Sequence, residues 1–465
     1  MTPTSLHDRS AVDLLALYAS REASPVEGVR ELLAHIQRCE PHIAATWALD
    51  AEGALQAARD SEERWRRGEA RALDGVPVTD KDNIATRGTA TPLATAATLL
   101  TPASADAPPA ARLREAGAVI VCKTTMPDYG MLSSGLSSFH KLTRNPWDLR
   151  KNPGGSSAGA AAACAAGYGP IHLGTDIGGS IRLPAAWCGV VGFKPSAGRV
   201  PIKPPYLGRV AGPMTRNVDD TALLMAALSL PDDRDATRLP QQAIDWSDTS
   251  PRQLRGLKIG LLMDAGWGIA VDAEIAAAVR DAARRFEEAG ATIEPMQPFS
   301  NREMADGINR FWRMRSWLDI SALPERRRAQ VLPFIRDWVA EAAGYSAAQV
   351  FDGYSQFAAL RDASVAACHA FDYVICPVAP VSAFAAEWAM PSNDPLRAME
   401  HIGFTLPFNM SEQPAISVPC ATTAAGLPIG LQIAGRRHDD IGVLRLARAW
   451  EQLRAPLPAW PQPPG

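Results

Sequence analysis

The stretch Gly154-Gly155-Ser156-Ser157-Ala158-Gly159 and the second cluster that follows it, Gly174-Thr175-Asp176-Ile177-Gly178-Gly179-Ser180, decide the reading of this chain. Ser180 stands 24 residues after Ser156, and Lys81, in Val78-Thr79-Asp80-Lys81-Asp82-Asn83, stands 75 residues before it. Glycine lets backbone N–H groups come close to a ligand. A serine at the end of such a turn can attack a carbonyl while the turn's amides hold the oxyanion. A lysine kept neutral by burial can accept the proton. Between the clusters, Ala158 to Ala166 is nearly all alanine. That predicts a tightly packed core helix whose N-terminus sits beside Ser156 and Ser157.

Outward from this core, apolar strands alternate with helices. Val76-Pro77-Val78 leads into Lys81, and Ala118-Val119-Ile120-Val121-Cys122 follows a helix expected over 107–116. Leu257-Lys258-Ile259-Gly260-Leu261-Leu262 and Thr292-Ile293-Glu294-Pro295 flank an amphipathic helix from Asp272 to Ala289. Such alternation predicts an α/β fold. Residues 1–70 read as a helical N-terminal part, with Ser24-Pro25-Val26-Glu27 as a capping box. Residues 71–225 form the catalytic core, and 226–256, rich in Pro, Asp and Ser, is an exposed connection. Residues 257–465 complete the α/β core around a helical insertion at about 300–370 that carries Trp312, Trp317 and Trp338.

Composition narrows the function. A net charge of −3 gives no electrostatic case for nucleic acid or an anionic membrane. The seven cysteines, Cys39, Cys122, Cys164, Cys188, Cys368, Cys376 and Cys420, form no C-x-x-C pair. That argues against a disulfide framework or a zinc site. No run of 18 strongly apolar residues suggests a spanning helix. The N-terminus, Met1-Thr2-Pro3-Thr4-Ser5-Leu6-His7-Asp8, lacks a signal-peptide profile. The expectation is a soluble, cytoplasmic protein.

With these motifs in hand, the chain resembles the amidase signature family, whose members hydrolyse amides through a Ser–cisSer–Lys triad. Further segments fit the same pattern. They include Arg144-Asn145-Pro146-Trp147, Gly212-Pro213-Met214-Thr215-Arg216, Pro414-Ala415-Ile416-Ser417-Val418-Pro419 and Gly426-Leu427-Pro428-Ile429-Gly430-Leu431-Gln432. One departure is Ala158, where the family's first cluster usually carries glycine. The resemblance implies a single α/β/α domain with a central mixed, mostly parallel sheet covered by helices. It implies Ser180 as nucleophile, Ser156 as bridging serine after a cis Gly155–Ser156 bond, and Lys81 as base. It implies an oxyanion hole from the amides of Ile177, Gly178, Gly179 and Ser180, and no metal or organic cofactor.

Around these residues, Asp176 and Arg182 read first as a salt bridge that shapes the turn, and second as a contact to an anionic substrate. Thr175 and Asn83 read as hydrogen-bond partners behind the triad. Asp80 and Asp82 are expected to point away from Lys81. By the resemblance, Gly130 and Met131, in Gly130-Met131-Leu132-Ser133-Ser134, meet the substrate together with Ser156. Residues 378–410, with Phe384, Trp388, Phe404 and Phe408, close the other side, which hints at an aryl or hydrophobic amide.

Other serine readings are weaker. Gly155-Ser156-Ser157-Ala158-Gly159 fits G-x-S-x-G, but the polar, proline-broken Arg150-Lys151-Asn152-Pro153 is no strand. Ser138-Phe139-His140-Lys141 fits S-x-x-K with no downstream K-T-G. The expectation is an amidohydrolase acting alone on a small-molecule amide, with no nucleic-acid or membrane partner and a homodimer by analogy. The alternatives are the glutaminase subunit of a tRNA-dependent amidotransferase and a catalytically silent binding subunit.

Overall fold

The computed structural model describes residues 5–462. Met1–Thr4, part of the segment read for a signal peptide, lie outside them. In the first half of the chain the strands are β1 (Thr46–Trp47), β2 (Pro77–Lys81), β3 (Val119–Thr124), β4 (Ile171–Asp176), β5 (Val191–Lys194) and β6 (Val210–Thr215). The second half adds β7 (Lys258–Leu261), β8 (Thr292–Pro295), β9 (Tyr373–Pro377), β10 (Ala415–Thr422) and β11 (Pro428–Gly435). All eleven join one sheet in the order β1-β3-β2-β4-β6-β5-β10-β11-β9-β7-β8. Helices cover it on both sides, so the chain is one α/β domain with a large mixed sheet.

The expected predominance of parallel pairs is not found. Parallel pairing is confined to β3-β2-β4 near one edge and β9-β7-β8 at the other. The middle of the sheet, from β4 through β6, β5, β10 and β11 to β9, is antiparallel throughout. Strands buried on both faces read as continuous apolar runs whichever way their neighbours point, so the pattern carries no direction.

The site is positioned by β2 and β4. Every residue of both strands is buried. They pair in parallel, with Asp80 opposite Leu173. Lys81 ends β2 and Asp176 ends β4, so both chains leave the sheet at the same edge, the carboxyl ends where α/β sheets place their ligands. Against this edge packs the helix Ala158–Ala165, in which all eight residues are buried. Alanine is required there by space, since extra methylenes in a filled core cost about 1–3 kcal/mol.

The Ser24 capping box forms, opening the helix Pro25–Ile43. The helical insertion comprises mainly Arg302–Ser321, Pro333–Ala340 and Ala347–Cys368, with Trp312 and Trp338 buried. The connection expected to be exposed is partly tied down. Trp246 and Leu254 are buried, and the buried Asp235 accepts from the Ile202 amide at 2.9 Å.

Candidate active site

Lys81 is fully buried, with four oxygens around Nζ. Ser156 Oγ lies at 2.8 Å, Ser157 Oγ and Thr175 Oγ1 at 3.0 Å, and the Thr175 carbonyl at 3.4 Å. Burial pushes the lysine well below its ordinary value, and the positive charge of Arg209 pushes it further, against Asp176 and Asp82. A neutral amine keeps one lone pair, which a hydroxyl proton must meet. Ser157 Oγ is also within reach of the Thr175 carbonyl, at 3.2 Å. Ser156 Oγ has no other hydrogen-bond partner among the described residues, so it is placed to give its proton to Nζ. The Gly155–Ser156 peptide bond is cis.

The aspartates beside Lys81 turn away from it, as expected. Asp80 is reached by the Thr86 hydroxyl at 3.2 Å, and burial pushes its carboxyl up to about 6. Asp82 accepts from the Ala94 amide at 2.9 Å and lies 2.8 Å from His140 Nε2. Asn83 stands behind Thr175, donating from Nδ2 to Thr175 Oγ1 at 3.1 Å.

Ser180 lines the same cavity as Ser156. Its carbonyl accepts from the Ser157 amide at 3.0 Å, which stitches the two clusters together. No hydrogen bond joins the Ser180 and Ser156 side chains among the described residues.

The expected oxyanion set needs one correction. The Gly179 amide is already spent, donating to Asp176 Oδ1 at 2.7 Å. The Ile177, Gly178 and Ser180 amides have no hydrogen-bond partner among the described residues. Gly179 serves by shape, because its φ is +127° and a Cβ there would sit 2.7 Å from Leu183.

Asp176 and Arg182 form the expected salt bridge, both side chains fully buried. The five N–H groups of Arg182 meet five acceptors: both Asp176 oxygens, the Thr405 carbonyl, Gln432 Oε1 and Asn409 Oδ1. Nothing is left for a substrate anion, so the second reading of Arg182 falls. Burial would raise the Asp176 carboxyl, but Arg182 outweighs it and holds the group well below the usual carboxylate range.

A cavity of about 500 Å³ opens over Ser156 and Ser180. Gly130 and Met131 line it as expected, and a Cβ on Gly130 would lie 3.3 Å from Ser156 Oγ. Phe384, Phe404 and Phe408 do not line it. They are core residues, and Trp388 is exposed elsewhere. From that segment the wall takes Met390, Met399 and Ile402 instead. The rest of the wall has no signal in the sequence. Trp312, Arg315, Ser316 and Asp319 present one face of the helix Arg302–Ser321. Arg209 and Tyr129 also line it, Tyr129 in a left-handed backbone with φ 52°. Ser157 is a further site residue beyond those expected, although its place in the first cluster marks it. A larger groove of about 900 Å³, near Trp47 and Phe139, contains none of the three triad positions.

Comparison with known proteins agrees with this geometry. The sequence profile of the family described as Amidase matches residues 27–444. A glutamyl-tRNA(Gln) amidotransferase subunit from Myxococcus xanthus (strain DK1622) is 37% identical, with 96% of this chain and 97% of the relative covered. Among solved structures, a bacterial aryl acylamidase of the amidase signature family superposes with a TM-score of 0.89 at 30% identity, covering 96% of each chain. The corresponding glutamyl-tRNA(Gln) amidotransferase subunit from Thermotoga maritima superposes with a TM-score of 0.82 at 27% identity over the whole of both chains. The expectation about partners is overturned by these relatives. A lone homodimeric enzyme with no nucleic acid in its reaction does not fit end-to-end matches to proteins named as one subunit of a tRNA amidotransferase. Among the described residues, no helix is long and apolar enough to cross a membrane. From the profile, the full-length relatives and the shared fold, the chain belongs to the amidase signature family, hydrolases acting on amide C–N bonds.

Proposed function

We propose that this chain is the glutaminase subunit of a tRNA-dependent amidotransferase, releasing ammonia from a carboxamide for a partner subunit to use. The observation that carries the reading is the charge set of the cavity. Arg209 and Arg315 offer guanidiniums and Asp319 a carboxylate, all on the wall of the cavity that holds Ser180. Arg315 and Asp319 are 4.0 Å apart, and Arg315 stacks over the Tyr206 ring at 4.3 Å, so neither is locked into a tight pair. A free amino acid with a side-chain amide brings one carboxylate and one ammonium, which two cations and one anion can sort. The names of the full-length relatives support the same reading.

The chemistry follows from the groups present. Lys81 Nζ takes the Ser156 proton as Ser156 takes that of Ser180. Ser180 Oγ bonds the carbonyl carbon, and the carbonyl electron pair moves onto oxygen, facing the Ile177, Gly178 and Ser180 amides. Losing one such donor typically costs about 100- to 1000-fold in rate. On collapse the C–N bond breaks, and nitrogen takes a proton from Ser156, which Lys81 resupplies. Water then repeats the cycle on the acyl-enzyme. The apolar wall of Trp312, Trp338, Met390, Met399 and Ile402 favours a second reading of the acyl group, as an aryl or hydrophobic one.

The test is ammonia release from glutamine by the chain with and without amidotransferase partner subunits and glutamate-charged tRNA. Ser180→Ala is the blank. Serine-dependent glutamine hydrolysis that rises with the partners is expected. Turnover of anilides with glutamine untouched in every mixture would overturn the reading.

A further inference from the structure

One polar pair in the cavity has no part in the proton path. Ser133 is 7% exposed and lines the cavity, and its Oγ lies 2.7 Å from Nε2 of His401, which is 1% exposed. Burial pushes the imidazole down to about 3, so the ring is neutral and carries one N–H. With that proton on Nδ1, Nε2 is a bare acceptor, the Ser133 hydroxyl donates to it, and the oxygen's lone pairs are left for the cavity.

The position of Ser133 gives those lone pairs a target. The loop Gly130–Ser134 lies directly on the Gly155–Ser156 peptide. A Cβ on Gly155 would meet the Ser134 amide at 2.5 Å and the Leu132 carbonyl at 3.0 Å. In the proposed reaction Ser156 hands its proton to the departing nitrogen, and Ser133 lines the same cavity as Ser156. A carboxamide nitrogen brings N–H donors, and burying one with no acceptor is costly.

We propose that Ser133, oriented by His401, accepts a hydrogen bond from the N–H of the departing amide nitrogen, so that the site selects amides bearing hydrogen on nitrogen. The inference rests on the Ser180 acyl-transfer reading. Ser133 contacts the substrate, while His401 is a positioning residue that fixes which way the hydroxyl points. The bond also holds the nitrogen with its lone pair turned toward Ser156 for protonation.

An ester of the same acid separates this role from general damage, because it passes through the same acyl-enzyme with no N–H. The matched pairs are glutamine with glutamate γ-methyl ester, and benzamide with methyl benzoate. In each, the readout is the ratio of amide to ester kcat/KM. Ser133→Ala is expected to lower that ratio about tenfold, the worth of one good hydrogen bond. His401→Phe, which offers no acceptor, should lower it similarly. His401→Gln, whose amide oxygen can accept in place of Nε2, should restore most of it. Equal losses on amide and ester, or no change on either, would overturn the proposal. Turnover of the benzoyl pair alone would sink the glutamine reading and leave the Ser133 test standing, since the ratio is read within one pair.

Discussion

Replacing Asp176 by asparagine should unfold the turn that carries Ser180. In the native protein Asp176 neutralises Arg182 and accepts the Gly179 amide at 2.7 Å and the Ile181 amide at 3.0 Å. It also receives Asn409 Nδ2 at 2.9 Å. Asparagine keeps the shape but removes the charge and one accepting oxygen. Arg182 would then be a fully buried guanidinium facing only neutral acceptors. Breaking a buried pair by deleting one partner costs about 3–5 kcal/mol, because the orphaned charge keeps its desolvation penalty. Total stability of a domain is about 5–15 kcal/mol, so the variant should be marginal. The assay is urea unfolding of the wild type and Asp176→Asn, followed by fluorescence of the 12 tryptophans. The pH dependence has a definite sign. A carboxyl depressed in the folded state stabilises fully above its unfolded pKa, about 3.9, and that contribution is lost only as pH falls through the depressed value. Wild type should therefore keep this contribution through mildly acidic pH. A loss under about 1 kcal/mol in Asp176→Asn, at neutral pH, would refute the claim that the pair holds the turn.

The proton path gives a pH prediction. In the proposed path Lys81 acts neutral, so kcat/KM should fall as pH drops through its depressed pKa, well below the ordinary 10.5. Arg209→Gln removes a charge that depresses Lys81, so the acid limb should move to higher pH; an unmoved limb would separate Arg209 from the lysine. Ser157→Ala removes a hydroxyl 3.0 Å from Lys81 Nζ and should cut kcat about tenfold with KM little changed, whereas a rise in KM alone would make Ser157 a substrate contact. Gly179→Ala must hold φ near +127° with a Cβ 2.7 Å from Leu183, so it should lose activity and lower the unfolding midpoint together; a fully active variant would show that the turn relaxes.

Lys81, Ser156 and Ser180 are legible in the sequence because their setting is local. Lys81 ends a short apolar strand, Ser156 lies within the first glycine cluster and Ser180 ends the second, and the resemblance to the family assigns their roles. The cavity wall is not legible, because its members meet only through tertiary packing. Trp312, Arg315 and Asp319 share a helical face in a segment that reads as an ordinary amphipathic helix, and Arg209 arrives from a proline-rich loop more than 100 residues earlier. Phe384, Phe404 and Phe408 mislead for the opposite reason, since large apolar side chains fill cores as readily as they line pockets. The spent amide of Gly179 depends on which way a neighbouring carboxylate turns, which spacing does not encode.

The reactive groups and the cavity wall hang on different parts of the molecule. Lys81 and the turn leading to Ser180 leave the ends of two fully buried, paired strands, and Ser156 lies just before a helix whose eight residues are all buried. The wall comes largely from the helix Arg302–Ser321 and from loops around 130, 206 and 400, none of them part of the sheet. Exchanges at the rim can thus redraw the list of acceptable acyl groups while proton transfer goes on undisturbed. Descent within such a lineage is a sound guide to how a bond is broken and a poor guide to whose bond it is. Swapping the rim helix between two relatives should carry diet across without carrying chemistry.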